Sequence, residues 1–531
     1  MTPRGPAAYL AFMNIFASPS RWICCVLLAF LHAVAVGQTV PRSSLDARLL
    51  TPRLYAGTPP PAWLDDGATR ARTAVRLLRD APLHGLDPAR YDTESLAHRL
   101  DDLTDAVDAL AFERDLSTAM LQYLSDLRFG RVASGYRPTA DVAEFDPVER
   151  LRQALVDGRL AQAVDAAAPP IAMVKRVEAT LAHYRALAAA YPAWSALPAP
   201  APRMGTGARY AGAATLRERL RLLGDLDAAA TAGTGDVYTP ELAAAVRRFQ
   251  ARHGLEEDGV PGTATLAALA VPPAHRVTQL ELTLERLRWL PRPPRGRAVV
   301  VDVPAYRLWA FDVDEPAGPL LEMRVIVGAA ARTPTPLFIG QMRRVEFNPY
   351  WNVPRSIERG EIIPKLARDP GYLAKNDMEL VGPSGQAMDD APGGALAALR
   401  AGTARVRQRP GDRNALGAVK FSMPNPMNIY LHSTSAQNLF GRSRRDLSHG
   451  CIRVEHPAAL AQFVLADPAR WDADAVAAAM RPGRTLVVPL REPVPVVLFY
   501  ATALTDREGR ALFAEDIYGL DEELTQALRA D

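Results

Sequence analysis

The sequence predicts a multidomain α+β protein: a helical region, a small three-helix unit, and a β-rich domain that carries an insertion. Three observations predict it. Residues 43–200 repeat apolar side chains at spacings of three and four, and residues 215–271 alternate short helical stretches with Gly and Pro turns. From residue 290 onward, short apolar runs follow one another, broken by Pro and Gly. The 531 residues fit about three to four domains at roughly 150 residues each. With 48% hydrophobic and 23% charged residues, the chain lacks the composition of a disordered protein. Lys+Arg 62 against Asp+Glu 59 leaves +3, too small a bias for a nucleic-acid footprint.

The first element is a targeting segment, residues 1–37. Arg21 precedes Trp22 to Val36, fifteen mostly apolar residues broken by His32, and Ala35-Val36-Gly37 follow. A basic flank, a short apolar stretch and small residues before the break describe a secretory signal. A start at Met13 would give it the usual short basic head. The competing reading is an uncleaved anchor, although the stretch falls short of the ~20 residues a spanning helix needs. The protein is expected in the periplasm, either freed by cleavage or held at the inner membrane. Cys24 and Cys25 lie in this segment, so the mature chain would keep one thiol, Cys451. That excludes a disulfide framework and a CxxC metal site.

Residues 43–200 read as a helical scaffold. Val107, Leu110, Phe112, Leu116, Met120, Tyr123, Leu124 and Leu127 predict a buried helical stripe, which Gly130 can cap. A second amphipathic stretch runs from residue 171 to 191. The segment LPAPAP that follows cannot continue a helix and reads as a linker. Nothing in this region gathers acids, bases or nucleophiles. In residues 215–271, Thr239 is a good N-cap with Pro240 at the first helical position. Leu242, Val246 and Phe249 then share one face, Gly254 ends the helix, and Thr263 opens another after the turns at Asp258-Gly259 and Pro261-Gly262. Gly205-Thr206-Gly207 does not make a dinucleotide loop, because Tyr210 stands where the third glycine belongs.

The runs 298–303, 306–311, 323–327, 345–351, 418–421, 429–432, 486–490 and 496–500 read as strands of an antiparallel β domain over 290–510. Residues 355–412, richer in Gly, Asp and Arg, interrupt that pattern and read as an insertion expected to act as a mobile lid. Residues 511–531 read as a C-terminal tail.

Three of the nine histidines fall within residues 432–456, and Cys451 lies among them. A thiol reacts as its thiolate, so a catalytic cysteine needs a cationic or hydrogen-bonding neighbour. Histidine supplies one and also shuttles the proton to a leaving group. Gly450 allows a tight turn that sets successive N–H groups where an oxyanion would form. Arg453 would share Cys451's side of an extended segment, there to stabilise the thiolate or hold a carboxylate. The bland alternative is a buried structural cysteine. A zinc site built from His432, His449 and Cys451 lacks a fourth ligand other than His456. Spacing leaves open which histidine is the base, since His449 could also reach the thiol.

His432, a gap of fifteen residues, and then Ser448-His449-Gly450-Cys451 with Arg453 resemble the signature of the L,D-transpeptidase (YkuD-type) catalytic domain. NPYWNVPRSI (348–357), RQRPGDRNALGAVKF (407–421), NIYLHST (428–434) and the late VPVVLFYATA are similar to its large, periplasmic YcbB-like branch. YTPELAAAVRRFQARHGLEEDGVPGTATLAAL resembles the three-helix peptidoglycan-binding domain of cell-wall enzymes.

The resemblance implies a mechanism. Cys451 attacks the carbonyl of the third, meso-diaminopimelyl residue of a tetrapeptide stem and expels D-alanine. An amine of a neighbouring stem then resolves the thioester into a 3→3 cross-link. His432 becomes the general base and acid. Its support is expected from the Ser433 carbonyl, because Ser433 stands where that branch often carries an acidic residue. His449, Gly450, Ser433 and Ser448 are assigned to the oxyanion pocket, and Arg453, Tyr430, Asn425 and Trp351 to substrate binding. No metal or organic cofactor is expected. The implied partners are peptidoglycan stem peptides, as tetrapeptide donor and diaminopimelate acceptor, other wall-synthesis enzymes, and carbapenem-type inhibitors. Two alternatives stand beside this one. An L,D-carboxypeptidase or amidase-type hydrolase would use water on the same thioester, and a non-catalytic wall-binding protein would rely on residues 215–271.

Overall fold

The computed structural model describes residues 46–530 apart from 57–61, 104, 135–144, 202–203, 228–234 and 389–393. The expected targeting segment, residues 1–37, lies outside the described residues. Among the described residues no helix is long and apolar enough to cross a membrane.

The scaffold packs helices from Ala47–Tyr55 to Leu160–Ala167 around Leu54, Trp63, Leu78, Phe112, Tyr123 and Leu151. Its central helix, Ala106–Phe129, starts where Asp105 accepts from the N–H groups of Val107 and Asp108 and ends at Gly130, φ 75°. The expected stripe holds from Phe112 onward, but Val107 and Leu110 are 77% and 64% exposed. At about 3.6 residues per turn, both fall opposite the face shared by Leu116, Tyr123 and Leu127. The helix Ala172–Ala190 leaves this core. It packs on Pro273–Trp289, a helix the sequence reading left unassigned, and both close over a separate cluster with Leu181, Leu284, Phe499 and Phe513. Glu285 on that second helix accepts from the N–H groups of Arg131 and Val132 at 2.6 and 2.9 Å, tying the scaffold to the helix that leads into the β-rich domain.

The three-helix unit comprises Ala213–Leu222, Pro240–Arg252 and Thr263–Ala270. Leu242, Val246 and Phe249 are buried in it, and Thr239 Oγ1 accepts from Leu242 N at 3.3 Å. Its Arg252 donates to the carbonyl of Ala511 at 2.9 Å, docking the unit on the C-terminal hairpin.

The β-rich domain opens with β1 (Arg297–Asp302), β2 (Arg307–Asp312), β3 (Leu321–Gly328) and β4 (Ile339–Phe347). β5 (Trp351–Asn352) lies just before the insertion, which supplies β6 (Met378–Val381), β7 (Ala387–Met388) and β8 (Arg405–Gln408). Then come β9 (Val419–Ser422), β10 (Leu431–His432), β11 (Asp446–Ser448), β12 (Ile452–Val454) and β13 (Leu486–Phe499). A final hairpin is β14 (Ala503–Thr505) with β15 (Ala511–Phe513). The main sheet runs β11-β3-β12-β10-β9-β4-β13-β1-β2, and β2 pairs back onto β3, which closes a barrel. Val299, Val325, Val345, Phe421, Leu431, Ile452 and Val496 fill it.

Four expectations are corrected here. The sheet is mixed rather than antiparallel, because β1–β13, β10–β12 and β11–β3 are parallel pairs. Parallel neighbours need a long crossover, which residues 433–451 supply between β10 and β12. The run 345–351 is broken at Asn348, φ 48°, while 486–490 and 496–500 join into one strand with an irregularity between Pro489 and Val494. Residues 511–531 are no tail: β15 and the helix Leu520–Ala530 pack back on the domain, with Asp521 paired to Arg286. Finally, residues 355–412 are not a bare loop: with Trp351–Asn352 and Val353 just before them they form a subdomain with its own sheet, β5-β8-β6-β7, and a core of Val353, Ile362, Leu366, Leu380, Leu399 and Val406.

Candidate active site

The site is set by the pairing of β10 with β12. Leu431 faces Ile452 and His432 faces Arg453 in parallel register, and Leu431 and Ile452 both point into the barrel core. Side chains alternate along a strand, so Tyr430 and His432 share the other face with Cys451 and Arg453. Four groups that chemistry needs together are thereby brought onto a two-by-two grid.

His432 is buried, and its Nδ1 lies 2.6 Å from the Ser433 carbonyl. A ring nitrogen beside a carbonyl oxygen must donate, which leaves Nε2 as the free lone pair. Burial, and then the Arg453 guanidinium, push the imidazole down to about 3. Burial pushes the Cys451 thiol up, against the opposing pull of Tyr430's N–H and hydroxyl, Lys420 and Arg453. The resting pair is therefore a neutral thiol and a neutral imidazole. Tyr430 links these groups to β5: its hydroxyl bonds the sulfur and takes a hydrogen bond from Trp351. Lys420 Nζ stands 4.7 Å from the Tyr430 ring centroid and 3.6 Å from Glu346. The thiol points at the Asn428 carbonyl, 3.7 Å away.

The turn before the thiol is tightly braced. Gly450 has φ 104°, a conformation that disfavours any side chain. Ser448 Oγ donates to the Cys451 carbonyl at 2.6 Å and accepts from Gly450 N at 3.2 Å. Thr333 and Thr335 donate to the carbonyls of Ser448 and Gly450 at 3.0 and 2.9 Å, and Tyr518 accepts from Thr335 N at 3.0 Å. Sequence reasoning missed all three, because no spacing relative to the signature marks them.

Several assigned residues take other roles. Gly450's N–H is already donated to Ser448, whereas the N–H groups of Cys451 and His449 make no hydrogen bond among the described residues. Ser433 lies outside the pocket: its buried hydroxyl donates to Leu416 O and accepts from Val419 N, each at 2.9 Å. Asn425 is a loop brace rather than a substrate contact, with its amide bonded to the carbonyls of Met423 and Ile429 and to the N–H groups of Met427 and Ile429. Ser448 likewise braces the turn. The side chain of His449 turns to the insertion, where its Nε2 meets Glu361 Oε1 at 2.6 Å. Arg453 is placed beside His432, and its buried Nε has no hydrogen-bond partner among the described residues. A cavity of about 100 Å³ lies elsewhere, between the three-helix unit and the barrel, lined by His253, Tyr306, Arg307 and Phe513.

A half-buried thiol, an oriented imidazole and a guanidinium on one face of a closed barrel define a cysteine–histidine site. Residues 296–494 match the L,D-transpeptidase catalytic domain (YkuD), residues 50–181 a Scaffold domain, and residues 209–269 a "Putative peptidoglycan binding domain". The chain thus carries an L,D-transpeptidase catalytic domain behind a scaffold and a peptidoglycan-binding domain. A curated relative from Haemophilus influenzae, described as "Putative L,D-transpeptidase", is 35% identical over 253 residues, 47% of this chain and 50% of that protein. The match spans about half the length of that relative. Crystal structures of an L,D-transpeptidase (Yku) from Stackebrandtia nassauensis and an L,D-transpeptidase from Xylanimonas cellulosilytica align at 13% and 18% identity. Each alignment spans 57% of this chain, and they take in 97% and 100% of those chains, with TM-scores of 0.25 and 0.18, too low to bear on the fold.

Proposed function

We propose that this chain is a periplasmic L,D-transpeptidase that makes 3→3 peptidoglycan cross-links through a thioester on Cys451. The observation that carries this reading is the β10–β12 register, which sets Tyr430 and His432 beside Cys451 and Arg453 inside the matched domain. His432 Nε2 takes the thiol proton as sulfur attacks the donor carbonyl, while Ser433 O holds the ring. The hydroxyl and N–H of Tyr430 receive the charge developing on sulfur. Both groups are neutral at rest, so the ion pair arises only as a carbonyl is attacked. The oxyanion is met by the N–H groups of Cys451 and His449, and Arg453 places positive charge beside the reacting centre.

Collapse of the tetrahedral adduct passes the proton from His432 to the D-alanine amine, which leaves. An acceptor amine then displaces the sulfur. The peptidoglycan-binding domain keeps the enzyme on the wall, and residues 1–37 export it. Partner enzymes of wall synthesis meet it there, and a carbapenem-type ring acylates the same sulfur. The test is mass analysis of muropeptides after incubation with tetrapeptide disaccharides. Cross-linked dimers support the reading. Tripeptide monomers alone would replace it with a hydrolase, and unchanged substrate would leave a wall-binding protein.

A further inference from the structure

The turn that carries Cys451 holds a second imidazole whose partner arrives from another part of the fold. His449 is half-exposed, two residues before the thiol, with Nε2 2.6 Å from Glu361 Oε1. Glu361 belongs to the π-helical turn Glu358–Ile362 at the root of the insertion, where Ile362 and Leu366 anchor it in the insertion's core. Lys365 Nζ lies 3.2 Å from its other oxygen. A carboxylate at Nε2 selects the tautomer that presents a bare Nδ1, and it stabilises the imidazolium formed when Nδ1 takes a proton. His432 is built the opposite way: its Nδ1 donates to a carbonyl, and burial and Arg453 disfavour its charged form.

The two halves of the proposed reaction ask for these two kinds of ring. Forming the thioester moves a proton from thiol to leaving amine inside a closed set of groups. Resolving it begins with an alkylammonium from solvent, which must lose a proton to become a nucleophile. We propose that His449, with Glu361 as its positioning residue, is the general base for the acceptor ammonium, so that each half-reaction has its own histidine. This inference rests on the transpeptidase reading. In the step, the ammonium gives one proton to His449 Nδ1, and the free amine attacks the thioester carbonyl. The C–N bond forms and the C–S bond breaks. A second proton on the new amide nitrogen passes through His432 to the thiolate and restores the thiol, and His449 releases its proton to solvent. Glu361 is on the insertion and His449 on the turn, so the base is assembled only when the insertion is seated.

The test uses the full-length protein, acylated by a tetrapeptide donor, and two amines followed by mass spectrometry of acyl-enzyme decay. Nα-acetyl-lysine is an ammonium at neutral pH and needs the base; hydroxylamine is already neutral and does not. General-base assistance is worth about 10²-fold, so H449N should slow the lysine reaction by about that factor, E361Q by about tenfold, and hydroxylamine by less than about twofold. Glu361→Asp should recover part of the loss. Equal slowing of both amines, or none of either, overturns the assignment. If H449N does not fold, E361Q and E361D decide it alone, since Glu361 is part-exposed and outside the signature. Absence of any acyl-enzyme in the wild type would instead overturn the transpeptidase reading, and this inference with it.

Discussion

His432 and His449 flank one thiol from two regions of the molecule, the barrel face and the edge that meets the insertion. The first ring is sealed against the barrel, held by a backbone carbonyl and flanked by Arg453, so its charged form is disfavoured. The second is half-exposed and hydrogen-bonded to the Glu361 carboxylate. One residue type thus meets two different surroundings, a buried backbone carbonyl and a part-exposed carboxylate. The barrel face is buried and holds Arg453 and Lys420 near the thiol and the ring, a setting suited to a transient ion pair. The insertion face is charged and open, suited to exchange with solvent.

The largest effect that could break this contrast is at the sulfur. C451A should abolish acyl transfer completely while leaving the fold intact, and a carbapenem should add its mass to the wild type only. An adduct that persists in the variant would move the chemistry elsewhere. Next comes H432A. Without a base, the thiol, which burial holds above its free value of about 8.5, must ionise unaided, so activity should recover partly at high pH. A stronger high-pH recovery in H449A than in H432A would mean the two regions have exchanged roles.

A third check reads the sealed ring through stability. His432 stays neutral in the folded protein down to about 3 and protonates in the unfolded chain near 6.5. Between those values the unfolded state binds more protons, so stability falls as pH drops, by at most about 1.4 kcal/mol per pH unit from this residue. H432Q should flatten the acid limb of the unfolding free energy by up to that slope; an unchanged slope would show the ring to be open to water. The smallest expected effect is at Tyr430. Removing one hydrogen bond to a developing charge costs about 1.5–3 kcal/mol, so Y430F should slow acylation by about tenfold to a hundredfold and shift its pH dependence upward. Unchanged acylation would place the tyrosine in packing alone.

Much of the site was legible because its parts are close in sequence. Cys451, Gly450 and Arg453 sit in one short run, and the turn demanded by Gly450 is a backbone property that spacing announces. The three-helix unit was legible for the same reason: Thr239, Pro240 and the Leu242, Val246, Phe249 face are local signals. Misplaced assignments came from polar residues whose partners are backbone atoms. Ser433, Ser448 and Asn425 all lie near the thiol in sequence, yet their hydrogen bonds go to the chain itself. Val107 and Leu110 were misread because a spacing of three then two crosses the helix rather than following one face. The insertion's own fold was not legible because the segment is richer in Gly, Asp and Arg than its flanks, while the buried Val353, Ile362, Leu380 and Val406 around which it folds are spread over more than fifty residues.

The sequence by itself determined the chemistry present: the thiol of Cys451, a histidine upstream and another on the turn, a glycine that tightens it, and an arginine in step with the sulfur. Those facts follow from residue type and short-range geometry, which the chain encodes directly. Tertiary structure alone decided which face of β10 meets which face of β12, that the pair is parallel, and that Glu361, 88 residues before His449, reaches its ring. It also decided the protonation states. A histidine's charge depends on desolvation and on the groups packed against it, and these arise from contacts between distant segments that no local spacing records.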